Sequence, residues 1–188
     1  MSRLVALVLV LALAAAGCTS GGGSAAADCE RIPGVRPGLC LTPPDARLPA
    51  PSGQGPVLGD EDLTTSLSER AGQPVVVNFW GSWCGPCRVE QPELNEVAER
   101  FDGEVTFLGV NVNDPAANAL AYVREFEPPY PSIHDPAGTY AASFEGVGPN
   151  TMPSTILIDA EGRVAARLFG ATTATELTVL TSHLLDGG

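Results

Sequence analysis

Two cysteines stand three residues apart in the run Trp80-Gly81-Ser82-Trp83-Cys84-Gly85-Pro86-Cys87-Arg88. This spacing serves two chemistries: a dithiol that opens and closes as a disulfide, or half of a tetrahedral metal site. Zinc wants four ligands, and the other candidates are poorly placed to complete a set. Cys29 and Cys40 lie far upstream at the wrong spacing, while His134 and His183 are solitary and distant from each other. His134, beside a Pro-rich turn, reads as a surface or structural imidazole, and His183, near the C-terminus, offers less. The pattern therefore points to thiol–disulfide exchange, with no metal ligand set and no cofactor implied.

The elements around the pair set how it would work. Gln73-Pro74 precedes Val75-Val76-Val77-Asn78-Phe79, a β-branched run bounded by Pro and then Gly81, which reads as a buried strand. Residues 89–101 then carry apolar side chains at helical spacing, so the cysteines fall where a strand ends and a helix begins. A thiolate at a helix N-terminus meets unpaired backbone N–H groups and the positive end of the helix dipole. Cys84 is thus expected to be the more acidic, exposed nucleophile. Cys87, one turn inside, would attack back to resolve a mixed disulfide, and Pro86 suits a first helical turn that needs no N–H from it.

Downstream, the pattern alternates between strand and helix. Residues 105–113 read as an apolar strand, Asp114-Pro115 opens a helical stretch through Phe126, and Pro128-Pro129-Tyr130-Pro131 breaks it. A brief extended piece at 132–134 and a short helix at 137–144 follow. Residues 155–159 and 163–169 read as a hairpin around Ala160-Glu161-Gly162, with a final helix from about 173 to 185. A mixed β-sheet flanked by helices on both faces, an α/β fold, is expected.

The N-terminus indicates export. A short basic start at Arg3 leads into the unbroken apolar run Leu4–Ala16, 13 residues long, which is too short for the roughly 20 residues a membrane span needs. Ala15-Ala16-Gly17-Cys18 resembles a bacterial lipobox, in which Cys18 is lipidated and becomes the mature N-terminus; Ala15 stands where Leu is commonest. Residues 1–17 are thus expected to be a lipoprotein signal peptide. Residues 19–56 contain seven Gly and seven Pro with little hydrophobic patterning, so 18–56 reads as a lipid-anchored tether and 57–188 as the domain. Within the tether, Cys29 and Cys40 enclose a turn-rich loop, and a structural Cys29–Cys40 disulfide is expected outside the cytoplasm.

Composition narrows the partners. All ten basic residues are Arg, against 22 acids, for a net charge of −12. Residues 57–188 alone hold 19 acids and six Arg, a solvated acidic surface rather than a nucleic-acid footprint. At 188 residues the chain holds one domain and some extra, and its hydropathy excludes a polytopic membrane protein.

Trp83-Cys84-Gly85-Pro86-Cys87 after a Val-rich strand resembles the thioredoxin active-site motif, and the string from Val75 to Pro92 resembles the TlpA/ResA group of membrane-anchored thioredoxin-like proteins. Thioredoxin carries a buried acid six residues before the first cysteine, where this chain has Asn78. The TlpA/ResA pattern instead places a Glu three residues after the second cysteine, and Glu90 fills that position. The resemblance implies a thioredoxin-like fold with the group's helical insertion near residues 114–144. It also implies a partly buried Glu90 that shuttles protons and tunes the thiols; read from the residues alone, Glu90 is as well a solvated helix Glu like Glu93, Glu96 and Glu99. It further implies a cis Met152-Pro153 bond facing the cysteines, against the trans base rate of X-Pro bonds. Trp80, Trp83, Gly85, Pro86 and Met152 would then border the substrate, while Phe79 suits core packing.

The function expected is an extracytoplasmic thiol:disulfide oxidoreductase, lipid-anchored at the membrane, acting on protein thiols and disulfides with a membrane redox partner. Reduction of apocytochrome c disulfides follows from the resemblance. Oxidation of exported proteins uses the same two sulfurs and stays open. A Cu(I) metallochaperone is a second class, although such proteins separate their cysteines by three residues and carry a matching His. A peroxidase is a third, although Trp80-Gly81-Ser82-Trp83 lacks the preceding Pro of peroxidatic sites.

Overall fold

The computed structural model describes residues 32–70 and 72–187. Cys18, Cys29 and the apolar N-terminal run lie outside them. Seven strands form one sheet: β1 (Gln54–Val57), β2 (Asp60–Ser66), β3 (Val75–Trp80), β4 (Thr106–Val112), β5 (Ser132–Asp135), β6 (Ser154–Ile158) and β7 (Val164–Phe169), in the order β2-β1-β5-β4-β3-β6-β7. β3, β4 and β5 run parallel, and the β1–β2 and β6–β7 hairpins close the two sides antiparallel. The sheet is mixed because the central strands are joined by helical crossovers and the outer ones by tight turns. Every residue of β3 is buried, as the unbroken Val75–Trp80 run requires of a central strand covered on both faces.

Three α-helices lie over one face: α1 (Gly85–Arg100), α2 (Ala116–Phe126) and α3 (Ala174–Leu185). Leu94 and Val97 of α1, and Phe101 just after it, meet Leu177, Leu180 and Leu184 of α3 across Val76 and Leu157 of the sheet. The opposite face packs Val75, Val77, Phe79, Val110 and Ile156 against Phe144 and Val147. Short 3-10 turns at Ala141–Ser143 and Pro149–Thr151 supply the cover there, so the short helix expected at 137–144 is reduced to one turn. Fully buried Phe79 has the core role expected of it.

The expected boundary at residue 57 falls inside β1, and the described part of the expected tether lies on the domain. Ile32 is buried in the helical-face core, with Val35, Leu39 and Leu41 packed beside it. The chain then runs along the outer edge of β7. Thr42 N–H donates to Ala165 O (2.6 Å), Val164 N–H to Leu48 O (2.8 Å), and Ala50 N–H to Gly162 O (2.8 Å). These bonds cover an otherwise unpaired sheet edge. Gly and Pro in this stretch mark turns of a packed arm rather than free linker: Gly34 and Gly38 both adopt positive φ, which glycine tolerates without penalty. Arg47 enters the interior and pairs with Asp159 at 3.2 Å, both side chains nearly inaccessible.

Candidate active site

Cys84 is the N-cap of α1, and it forms a disulfide with Cys87. Cys87 N–H also points at Cys84 Sγ, 3.2 Å away. The strand-to-helix junction therefore directs a backbone donor at the sulfur on which thiolate charge would develop. Cys84 is 4% exposed and Cys87 1%, so Cys84 is the more accessible of the two only narrowly. The expectation of an openly exposed nucleophile is corrected in that respect: flanking apolar groups, Met152 among them, cover the pair.

The loop before Cys84 is pinned by groups that the sequence reading did not single out. Buried Asp114 accepts from Ser82 N–H (2.6 Å), Ser82 Oγ (2.8 Å) and Asn111 Nδ2 (2.9 Å). Trp83 Nε1 donates to Val112 O at 3.0 Å, folding the indole over Gly81, where a Cβ would collide with the ring. A carboxylate just beyond the end of a strand beside the cysteine loop is the signal that could have drawn attention to Asp114. His134 lies on β5 with Nε2 3.0 Å from Asp114 O, a structural contact. Among the described residues, no three His, Cys, Asp or Glu side chains gather as metal ligands would.

Of the expected border residues, Trp83 is 47% exposed, Gly85 and Pro86 are exposed, and Met152 is half-buried. Trp80 departs from that reading. It is buried, stacked on Tyr122 with ring centroids 4.4 Å apart, and its indole donates to Ser132 Oγ at 3.2 Å. Its place is beneath the cysteines, where Tyr122 Oη also donates to Cys87 O at 2.9 Å. Val89, one residue after Arg88 on α1, is also exposed, at 75%. The Met152-Pro153 bond is cis, and the register that pairs Phe79 with Ser154 carries it to the end of β3 where the cysteine loop begins.

Glu90 is 1% exposed. It follows Cys87 by three residues, on the same face of α1. Its Oε1 accepts from Asn78 Nδ2 and its Oε2 from Thr172 N–H, each at 2.9 Å. Asn78 also donates to Thr155 Oγ1, its cross-strand partner, at 3.2 Å. Burial pushes the Glu90 carboxyl up to about 7, only partly opposed by these two hydrogen bonds and by the more remote Arg36. Asn78 Oδ1 is buried and has no partner among the described residues. A half-turn of that amide would present an acceptor to a protonated Glu90.

This geometry, a dithiol capping a helix beside a buried titratable acid, defines a thioredoxin-fold thiol:disulfide oxidoreductase, an enzyme whose redox centre is Cys84–Cys87. Residues 44–167 match the AhpC/TSA family, and the chain belongs to it, within the DsbE/ResA/TlpA-like thiol:disulfide oxidoreductases. It is 35% identical over 139 residues to the thiol:disulfide interchange protein DsbE of Pseudomonas aeruginosa, covering 71% of this chain and 74% of that one. It is 34% identical to the thiol-disulfide oxidoreductase ResA of Geobacillus thermodenitrificans, covering 64% and 69%. Among solved structures, a secreted thiol-disulfide isomerase from Corynebacterium glutamicum superposes with TM-score 0.74 at 32% identity, covering 79% of this chain and 92% of that one. A DsbF homologue from Corynebacterium diphtheriae superposes with TM-score 0.70 at 30% identity, covering 90% and 96%.

Proposed function

We propose that this enzyme reduces disulfides in exported proteins, apocytochrome c among them, using Glu90 as the proton donor and acceptor of its dithiol. The observation that carries this reading is the buried Glu90 on the Cys87 face of α1, held by neutral donors alone. In the reducing direction, the Cys84 thiolate attacks one sulfur of the substrate disulfide. The substrate S–S bond breaks, and the other sulfur leaves as a thiolate that takes up a proton. Cys87, giving its proton to ionised Glu90, then attacks Cys84 Sγ, releasing the second substrate thiol and closing the Cys84–Cys87 disulfide. Two electrons pass from enzyme to substrate, and a membrane thiol donor must return them.

Trp83, Gly85, Pro86 and Met152 form the substrate border. Pro153 offers no N–H and no nucleophile beside the sulfurs, which leaves the Met152 backbone free to pair with an extended substrate. Export and anchoring through lipidated Cys18, and a Cys29–Cys40 bridge steadying the arm, complete the proposal. They are supported by the apolar run, the lipobox-like sequence and the cysteine count.

A second reading, oxidation or isomerisation of exported proteins, is favoured by the likeness to the secreted isomerase from Corynebacterium glutamicum. The reduction potential separates the two. Equilibrated against thiol buffers with Cys84→Ser as the blank, a value near −270 mV, roughly that of thioredoxin, supports the reductant. A value near about −120 mV, that of a strong oxidant, assigns the protein to disulfide formation and removes the cytochrome reading.

A further inference from the structure

The acid beside the redox centre is tied to the N-terminal arm. Arg36, on that arm, donates from its backbone N–H (2.9 Å) and its Nε (2.8 Å) to Glu176 Oε1, and from Nη2 to Glu176 Oε2. The same Nη2 reaches Ala171 O at 2.8 Å. Glu176, buried in the first turn of α3, accepts in addition from Thr172 Oγ1 at 3.2 Å. One guanidinium thus holds both the carbonyl and the carboxylate that flank the Ala171–Thr173 turn. The middle N–H of that turn, Thr172, is the backbone donor to Glu90.

We propose that Arg36 is a positioning residue for the redox centre: through Glu176 and the 171–173 turn it fixes the donor that faces Glu90, and its guanidinium also acts on that acid as a cation. The docked arm then sets the proton affinity of the group that serves Cys87, and displacement of the arm would loosen that control. This inference rests on the proposed role of Glu90.

The charge arrangement agrees. Glu176 is held below its ordinary value because the Arg36 hydrogen bonds outweigh the upward push of burial. The other charged or titratable groups around Glu90 are few. Glu93, on its own helix, is engaged with Ala174 N–H at 2.7 Å. Tyr122 and Tyr130, from α2 and the loop before β5, are both pushed up by burial and remain neutral. Cys87 is the redox group itself, and β3 and β6 contribute only neutral Asn78 and Thr155. Among the described residues, Arg36 is therefore the cation that acts on Glu90, in the direction that favours its ionised form.

The test is the pH dependence of the Cys84/Cys87 reduction potential in the full chain, for wild type, Arg36→Met, Arg36→Lys, Arg36→Met/Glu176→Gln and Glu90→Gln. Removing the cation should move the Glu90 inflection upward by about half a pH unit or more. Lysine should restore it only in part, since an ammonium lacks the planar fork that reaches Glu176 and Ala171 together. The double variant leaves no unpaired buried carboxylate, so it keeps the test available if Arg36→Met folds poorly; its inflection should also lie above that of wild type. Arg100→Met, which removes an exposed cation elsewhere on α1, should leave the curve in place. If neither Arg36→Met nor the double variant moves an inflection that Glu90→Gln abolishes, the inference is overturned while the role of Glu90 stands. If Glu90→Gln leaves the inflection untouched, the Glu90 reading itself fails.

Discussion

Glu90, inside α1, and Asp159, just past the end of β6, are both buried carboxylates, and the fold treats them oppositely. Glu90 meets neutral donors, Asn78 Nδ2 and Thr172 N–H, and its carboxyl rises to about 7. Asp159 pays a desolvation cost as well, but Arg163 N–H (2.8 Å), Arg163 Nε (2.9 Å) and Arg47 Nη1 (3.2 Å) overcome it and hold the carboxyl below its ordinary value. Burial alone therefore does not fix the state of an acid. A carboxylate surrounded by cations becomes a permanent charge that staples the arm and the β6–β7 turn; one surrounded by neutral donors keeps its proton near neutrality and stays available for chemistry.

The largest effect should come from breaking the staple. Arg47→Met removes the buried partner of Asp159 and leaves it only the part-exposed Arg163 as ion-pair partner among the described residues, and urea unfolding should show a loss of about 3 kcal/mol. A loss below about 1 kcal/mol would mean that the pair is not structurally important.

The pH slopes of the two acids carry opposite signs. Glu90, raised in the fold, contributes stability that is fully present below its unfolded value of about 4.5 and is lost as pH climbs through about 7. Asp159, depressed in the fold, contributes stability that is present above its ordinary 3.8 and is lost as the solution is acidified. Glu90→Gln should therefore remove a decline of up to about 3 kcal/mol between pH 4.5 and 8 in the oxidised protein, leaving the acid limb intact. In stopped-flow disulfide exchange at pH 7 the same variant should slow turnover by about 10²-fold. A wild-type stability that is flat over that interval would contradict the assignment.

Asn78→Asp puts a second carboxyl against Glu90. Two acids sharing the site cannot both ionise freely, so the variant should be less stable than wild type by about 1–3 kcal/mol at pH 8 and closer to it at pH 5, read from parallel thermal melts. The smallest change belongs to the exposed Glu96–Arg100 pair on α1, where Arg100→Ala should alter unfolding by no more than about 0.5 kcal/mol.

Much of the site could be read from residue types alone. The Val75–Phe79 run, the cysteines at a helix start and the apolar spacing of 89–101 specify β3, the junction and α1, because a buried central strand and an amphipathic helix each impose a period on the sequence. The β1–β2 hairpin left no such trace. β2 is Asp-Glu-Asp-Leu-Thr-Thr-Ser, mostly exposed, and it is held by backbone pairing rather than by burial. The arm was hidden for a related reason: its anchors are single residues, Ile32, Arg36 and Arg47, set among Gly and Pro that mimic a linker. Trp80 and Trp83 differ only in their surroundings, since one lies at the end of a buried strand and the other on a loop, and two aromatics of the same type three residues apart carry no mark of which faces water. Glu90 was separable from Glu93, Glu96 and Glu99 only by resemblance. Its burial depends on Asn78 and Thr172, which are distant in sequence and reach it only once β3 and the start of α3 are in place.

The most direct check is a carbon-13 NMR titration of the Glu90 and Asp159 carboxyl carbons in the same oxidised sample. The structure predicts a Glu90 midpoint near 7, with Asp159 still ionised below its ordinary 3.8. A Glu90 midpoint in the ordinary range around 4.5, or a reversal of the order of the two acids, would contradict the claim that burial among neutral hydrogen-bond donors keeps a proton of Glu90 poised at the redox centre.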